Sequence, residues 1–375
     1  MLLQKISFEN YRNLSFNELT FSDGVNVLLG DNAQGKTNVI EGIYNFAAGR
    51  SFRGAKDREL IRFGEECAKS TLWFCDPEGD VETLEIRYAQ NAPKVMRKNG
   101  VMIRKLSDFV GNFRAVLFCP EHLSLIKGPA AGRRGYLDMA VSQLRPAYLH
   151  ALLEYGKILK QRNSLLKNDD KTFMEVRPLL EVLTEQMAPY FAQIVKTRIG
   201  YLDVVREEVR DFLCDLTKGG ETVSLFYECL GERTESDGAE KDLLERLFLE
   251  KSAKSYEADF RAGQTLVGCH RDDFSIFVNG HEARQYCSQG QDRSLVLALK
   301  LAEGEIAKSA SGEYPVFLFD DVLSELDRQR QEYLLFHIRD RQVILSACWD
   351  DGSFEKMENV SVVEKGNVRK RVMKQ

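Results

Sequence analysis

Gly30-Asp31-Asn32-Ala33-Gln34-Gly35-Lys36-Thr37 has the spacing G-x-x-x-x-G-K-[ST]. Those residue types in that order suit the wrapping of a phosphate chain. The glycines let the backbone curl so that successive N–H groups point inward. Lys36 brings a point charge to the outer phosphates, and the Thr37 hydroxyl suits Mg²⁺. Asn38 continues the binding segment into the next element. Far along the chain, the apolar run Val316-Phe317-Leu318-Phe319 ends in Asp320-Asp321. An acidic pair there is, alone, most simply a solvated strand end. Coupled to a phosphate loop, Asp320 is expected to hold the metal and Asp321 to polarise an attacking water. Ser288-Gln289-Gly290-Gln291 stands one helical pattern upstream of that strand. A serine and glycine at a helix start either cap it or clasp an anion through hydroxyl, backbone N–H and helix dipole.

These groups need elements to hold them. Val25-Asn26-Val27-Leu28-Leu29 reads as a buried strand leading into the glycine loop, and Val39, Ile40, Ile43, Tyr44 and Phe46-Ala47 follow at helical spacing. Before them, Leu3 to Phe8 alternates as an edge strand, turns through residues 10–13 and resumes at Leu14 and Phe16. From Cys67 to Phe118 the pattern is strand-like, and Asn99-Gly100 marks a tight hairpin, so an antiparallel meander is expected. After Gly128-Pro129-Ala130-Ala131-Gly132 the pattern turns helical. Leu180, Leu183, Met187, Phe191, Ile194, Leu202, Val205, Val209 and Phe212 share one face, with Pro189 expected to kink or divide the helix. A packed lobe is favoured over a coiled-coil arm. Strands are expected again at Thr265-Leu266-Val267, at Phe274 to Val278, at Val316 to Phe319 and at residues 342–347, with a helix from Ser294 to Ala307. The division expected is 1–127, a helical insertion at 128–263, and 264–375, the insertion splitting one α/β domain.

Composition narrows the classes. With 375 residues, 43% hydrophobic and 29% charged, disordered and fibrous classes are excluded. No run reaches the roughly 18 apolar residues that cross a bilayer, and the first residues do not form a signal peptide, so a cytosolic protein is expected. The eight cysteines are scattered with no CxxC pair, which reads as buried thiols. A net charge of −5 argues against a uniformly basic surface and leaves room for a local one.

The order of glycine loop, Ser-x-Gly-Gln, acidic strand and Ser324-Glu325-Leu326-Asp327 resembles the ATPase head of the ATP-binding-cassette class. Within that class the chain is similar to the RecF family. The likeness rests on Tyr11-Arg12-Asn13-Leu14, Gly30 to Glu41, Phe118-Cys119-Pro120-Glu121-His122-Leu123, Arg133-Arg134-Gly135-Tyr136-Leu137-Asp138, Gly268-Cys269-His270-Arg271-Asp272-Asp273 and Asp320 to Asp327. The resemblance implies an α/β fold: a P-loop NTPase of the ABC-ATPase head type, with an antiparallel β subdomain and an inserted α-helical lobe. It implies ATP and Mg²⁺, and a homodimer closed head to tail on two nucleotides, in which Ser288, Gln289, Gly290 and Gln291 of one subunit face the phosphate held by the other. Gapped or single-to-double-strand DNA, RecR and RecO are the implied partners. Hydrolysis would be slow and DNA-dependent, a timer for residence on DNA in replication and repair, with Asp327 a further catalytic carboxylate.

The chain departs from the class in three places. Asp321 stands where glutamate is usual, no histidine follows the strand Val343-Ile344-Leu345, and Cys269 occupies the place of a proline. His270 and Arg271 are either near the nucleotide or the subunit boundary, or structural. For DNA, the cations Lys94, Arg97, Lys98, Arg104 and Lys105 on the hairpin, and Arg133-Arg134, form the expected surface, which would bind phosphates without reading sequence. Two other classes share the loop. A transporter's nucleotide-binding subunit is disfavoured by the helical insertion and the meander, and a nuclease-coupled ATPase by the lack of room for a nuclease domain.

Overall fold

A computed structural model describes residues 1–76, 78–167, 172–234, 240–348 and 359–371. The chain divides into two compact units, Met1–Leu123 with Val296–Gln375, and Ser124–Leu295.

In chain order the first unit begins with β1 (Leu2–Tyr11), β2 (Leu14–Thr20), β3 (Val25–Leu29), α1 (Lys36–Ala48), β4 (Cys67–Cys75), β5 (Val81–Ala89), β6 (Ala92–Lys98), β7 (Val101–Ile103), α2 (Leu106–Phe109) and β8 (Ala115–Phe118). The middle unit holds α3 (Ala130–Leu144), α4 (Pro146–Leu166), α5 (Phe173–Thr217), β9 (Val223–Cys229), β10 (Glu232–Thr234), α6 (Lys241–Ala262), β11 (Asp273–Val278), β12 (His281–Glu282) and α7 (Ala283–Tyr286). Helix α8 (Gln289–Ser311) follows, its residues from Val296 counted with the first unit. That unit then closes with β13 (Val316–Asp320), α9 (Arg328–His337), β14 (Val343–Ala347), β15 (Val360–Glu364) and β16 (Asn367–Lys370).

Two six-stranded sheets build the first unit. One is the expected meander, in the order β2-β1-β4-β5-β6-β7, antiparallel throughout. Its Asn99 and Gly100 both have positive φ, 49° and 79°, the requirement of a type I′ turn. The other has the order β16-β15-β3-β14-β13-β8, with β15, β3, β14, β13 and β8 parallel and only β16 reversed. Parallel strands covered on both faces read as unbroken apolar runs; β13 and β14 are buried at every position. Helix α1 is buried through Val39, Ile40, Ile43, Phe46 and Ala47. The antiparallel hairpin β15–β16, which turns at Lys365-Gly366 with φ of 49° and 78°, adds two strands to those expected.

Four long helices and the sheet β10-β9-β11-β12 make the middle unit. It reaches to Leu295, beyond the boundary at 263 that the helical spacing predicts, because β11 pairs with β9 from Asp273↔Glu228 to Val278↔Val223. Residues 265–267 are not a strand. Thr265 is spent on bonds to α4 instead: its N–H and hydroxyl donate to Asn163 at 2.8 Å, and its hydroxyl accepts from Arg162.

Pro189 does not divide α5, which runs unbroken for 45 residues with Pro178 and Pro189 inside it. A proline in mid-helix costs about 3 kcal/mol. Both Pro189 and Glu185, whose carbonyl loses its donor, are exposed, on the side of α5 turned away from the packed core. Meanwhile Met187, Phe191, Ile194 and Val195 on the opposite face are fully buried, and Phe191 stacks on Phe248 of α6 at 4.4 Å between centroids. Burial at about 1.5 to 3 kcal/mol per large side chain outweighs one broken bond. The lobe is thus packed, α5 lying against α4 and α6. Among the described residues no helix is long and apolar enough to cross a membrane.

Candidate functional site

Register brings the distant motifs together at the carboxyl ends of three neighbouring parallel strands. β3 delivers the glycine loop and β13 delivers Asp320. β14 lies between them, its Ser346 opposite Leu28 on one side and Asp320 on the other. Ligands of open α/β sheets bind at such strand ends.

The loop uses its glycines for space as well as curvature. A Cβ on Gly30 would lie 2.3 Å from the Val363 carbonyl oxygen. Gly35, at φ 119°, is the left-handed N-cap of α1, where a side chain would strike the Asn13 amide at 2.8 Å. Ala33 is also at positive φ, 63°. Lys36 is buried, and its ammonium donates to the carbonyls of Gly30 at 2.5 Å and Asp31 at 2.9 Å. Cys348 donates its thiol to Asn32 at 3.1 Å. Gln34 is held from two sides: its carbonyl accepts from Asn13 at 3.1 Å and from the Gly366 N–H at 2.9 Å, and its side chain accepts from the Lys365 N–H. Asn38 donates to Asn13 at 2.8 Å. The turn Asn10–Asn13 and the β15–β16 hairpin therefore shape the loop, a role the motif did not reveal.

Behind the loop, Arg12 pairs bidentately with the fully buried Glu41 at 2.9 and 2.8 Å, and Ser51 donates to the same carboxylate at 2.5 Å. Arg12 stands at φ 52°. Tyr-Arg-Asn-Leu and the glutamate of α1 are thus one built unit, pinning the meander to the nucleotide helix.

The Thr37 hydroxyl donates to Asp320 Oδ1 at 3.0 Å, and the Ser346 hydroxyl donates to the same oxygen at 2.8 Å. Burial raises the Asp320 carboxyl above the usual range, against these two hydrogen bonds; the carboxylates of Glu121 and Asp321 also push it up. Such a group is set to give up its excess energy to a cation. Asp321 lies next in chain at φ 52°, its N–H donating to Ser346 and its carbonyl accepting from Ser324 at 2.8 Å. A left-handed aspartate is strained, and two hydrogen-bonding partners, Ser346 and Ser324, hold it so.

The remaining sequence assignments fall elsewhere. Ser288 is the cap of α8 in a reciprocal box: its N–H donates to the Gln291 side chain at 2.9 Å, and its hydroxyl accepts from the Gln291 N–H at 3.3 Å. Gln291 also donates to Glu221 at 2.8 Å. Asp327 caps α9, accepting from the Arg330 N–H at 3.0 Å and pairing with the Arg330 guanidinium. His270 is structural. Its Nε2 must carry the proton because it meets the Thr265 carbonyl at 3.1 Å, leaving Nδ1 to accept from Tyr155 at 2.9 Å. Burial lowers its pKa to about 4, so the ring is neutral. Arg271 binds the Thr265 carbonyl and Gln264.

The expected DNA surface is corrected at several points. Arg133 is buried, donating twice to Asp273 at 2.8 Å and to the carbonyls of Leu125, Ile126 and Gly128, so its guanidinium is committed to the protein interior and is not a surface charge. Arg134 donates to the Asp272 carbonyl at 2.7 Å. On the hairpin, Lys98 faces Glu82 at 2.7 Å and Arg97 faces Glu85 at 3.7 Å. Lys94 bonds Asp57 and the Gly49 carbonyl. Arg104 and Lys105 are exposed. Sequence supplies the charge of a residue and not its partner.

A parallel sheet with a glycine loop on one strand and an acid on another beside it, joined to an antiparallel meander, defines a P-loop NTPase with the head fold of the ABC class. The family described as RecF/RecN/SMC N terminal domain matches residues 2–371. Relatives named DNA replication and repair protein RecF include that of Geobacillus kaustophilus, 40% identical with 94% of each chain covered, and that of Exiguobacterium sp., 39% identical with 98% of this chain and 99% of the relative covered. The solved structure of the recombination mediator protein RecF-ATP of the RecFOR pathway superposes with a TM-score of 0.89 at 35% identity, over 99% of this chain and 98% of that one. An Smc head domain from Pyrococcus furiosus, at 14% identity and a TM-score of 0.55, shares the fold. The chain belongs to the RecF family, DNA replication and repair proteins within the RecF/RecN/SMC group.

Proposed function

We propose that the chain is an ATP-dependent DNA-binding protein that closes into a head-to-tail dimer on ATP, stays at gapped or single-to-double-strand junctions, and resets by slow hydrolysis. The observation that carries this reading is the 3.0 Å contact between Thr37 and Asp320, residues 283 positions apart, at the mouth of the glycine loop. Membership of an ATPase family, and a RecF-ATP structure of matching fold, support ATP as the ligand.

The donor set fits Mg²⁺: a hydroxyl and a carboxylate, hard oxygens on adjacent strand ends. P-loop sites complete the shell with phosphate and water oxygens. Bound there, the ion would neutralise charge on the β- and γ-phosphates. Lys36 would turn from the loop carbonyls to the phosphates, and the loop N–H groups would hold the remaining oxygens. Asp321 would orient the attacking water. Its short side chain and strained backbone suit positioning more than fast proton abstraction, which supports slow turnover. In the dimer, Ser288 to Gln291 would meet the phosphate bound by the second subunit, and RecR and RecO would be the accompanying proteins in the cytoplasm.

Asp320→Asn keeps the shape and the hydrogen bond from Ser346 while removing the charge. The expected result is a turnover number at least tenfold lower with ATP affinity changed by less than threefold, measured by phosphate release and by calorimetry. A turnover number equal to wild type would mean that another carboxylate places the metal.

A further inference from the structure

The segment that follows α1 carries Arg50, Arg53, Lys56 and Arg58, all exposed. Among the described residues none of the four has an ion-pair partner. Its two acids are occupied: Asp57 pairs with Lys94 at 3.1 Å, and Glu59 accepts from the Lys56 N–H at 3.1 Å. The hairpin cations Arg97 and Lys98 have acids opposite them, so this segment holds more free positive charge than the β6–β7 hairpin.

Its backbone is fixed. Lys94 reaches both the Gly49 carbonyl at 2.7 Å and the Asp57 carboxylate, cinching the segment so that Arg50, next to Gly49, and Lys56 and Arg58, either side of Asp57, are brought to one neighbourhood. Ser51, held by Glu41, accepts from the Arg53 N–H at 3.1 Å, and Arg12 donates to the Glu59 carbonyl at 3.0 Å. A pre-ordered backbone with free cationic ends binds an anion array without a large ordering cost. Three of the four are arginines, whose forked donors match phosphate oxygens in pairs. The segment also connects to the nucleotide loop: the Arg53 guanidinium donates to Asn38 at 3.4 Å, Asn38 donates to Asn13, and Asn13 donates to the Gln34 carbonyl.

We infer that Arg50, Lys56 and Arg58, on the segment clamped by Lys94, form a phosphodiester-binding surface for DNA, with Arg53 joining that surface to the phosphate loop. The inference rests on the proposed function and assigns its DNA contact to this segment in place of the β6–β7 hairpin. Lys94 is then a clamp, and its loss acts through the backbone it holds.

The test is fluorescence anisotropy of the full-length protein on gapped duplex in ATP across a salt series. Each cation that contacts a phosphate contributes about 0.7 to 0.9 to the log-log salt slope. Arg50→Ala with Lys56→Ala and Arg58→Ala should lower the slope by roughly 2 to 2.7 on that basis, while ATP affinity by calorimetry stays at the wild-type value. Arg50→Lys with Arg58→Lys should keep the slope, since the charge remains. Arg104→Ala with Lys105→Ala should change it by less than 1. A triple variant with the wild-type slope, in a background where wild type binds DNA, would overturn this surface and leave the ATP-dependent DNA-binding reading standing. A wild type that binds no DNA in ATP would overturn both.

Discussion

Lys36→Ala should lose ATP affinity by about 100-fold or more in calorimetry. The ammonium is buried and bonded to two loop carbonyls, so it is already desolvated at the point where phosphates arrive. Hydrogen bonds to a charged group contribute about 1.5 to 3 kcal/mol each, and 1.4 kcal/mol is a factor of ten. Alanine removes the charge, leaves the Gly30 and Asp31 carbonyls without their donor, and loosens the loop they shape. The fold should survive, because the loop remains held at Gln34 by Asn13 and by the β15–β16 hairpin. Thermal melting without nucleotide should stay within a few degrees of wild type. Wild-type ATP affinity in this variant would remove the phosphate-loop assignment.

Ser288→Arg should give a chain that binds ATP and cannot dimerise. The residue is exposed and caps α8. Losing a cap costs about 1 kcal/mol, too little to unfold the unit, and Lys36, Thr37 and Asp320 are untouched. In a head-to-tail dimer the guanidinium would fill the space that the opposing γ-phosphate needs, so ATP-dependent dimer, hydrolysis and retention on DNA should vanish together. Ser288→Ala loses the same cap without adding bulk. It should still dimerise, with affinity reduced less than tenfold. An ATP-dependent, hydrolysing dimer of Ser288→Arg would show that Ser288 only caps its helix.

Local chemistry was legible in the sequence where a short motif demands one backbone shape. The glycine loop, its flanking strand and helix, Asp320 at a strand end and the Asn99-Gly100 turn are such cases. Three kinds of information were not legible. Ser346 is an ordinary residue of an apolar strand, and its bond to Asp320 follows only from β14 lying between β3 and β13. Asn13 and Gly366 meet at Gln34 from opposite ends of the chain, which no spacing rule connects. Burial decided the rest. Pro189 stays helical because the opposite face of α5 is packed. Arg133 looked like a surface cation and is buried against Asp273. Arg198, which carried no motif, is buried and bonds Asp138, Tyr227 and the Cys269 carbonyl. That network explains the acids and carbonyls around Gly268 to Asp273 as the framework of the middle unit.

Sedimentation velocity of the wild-type chain with fluorescent gapped DNA, in ATP and in ADP with Mg²⁺ present, reads out whether the nucleotide controls both dimer and DNA retention. A dimer on DNA that persists until hydrolysis is expected in ATP, and dissociated monomers with free DNA in ADP. Equal dimer and equal DNA retention in ATP, ADP and nucleotide-free buffer would contradict such control, because the nucleotide would then have no part in holding the protein on DNA.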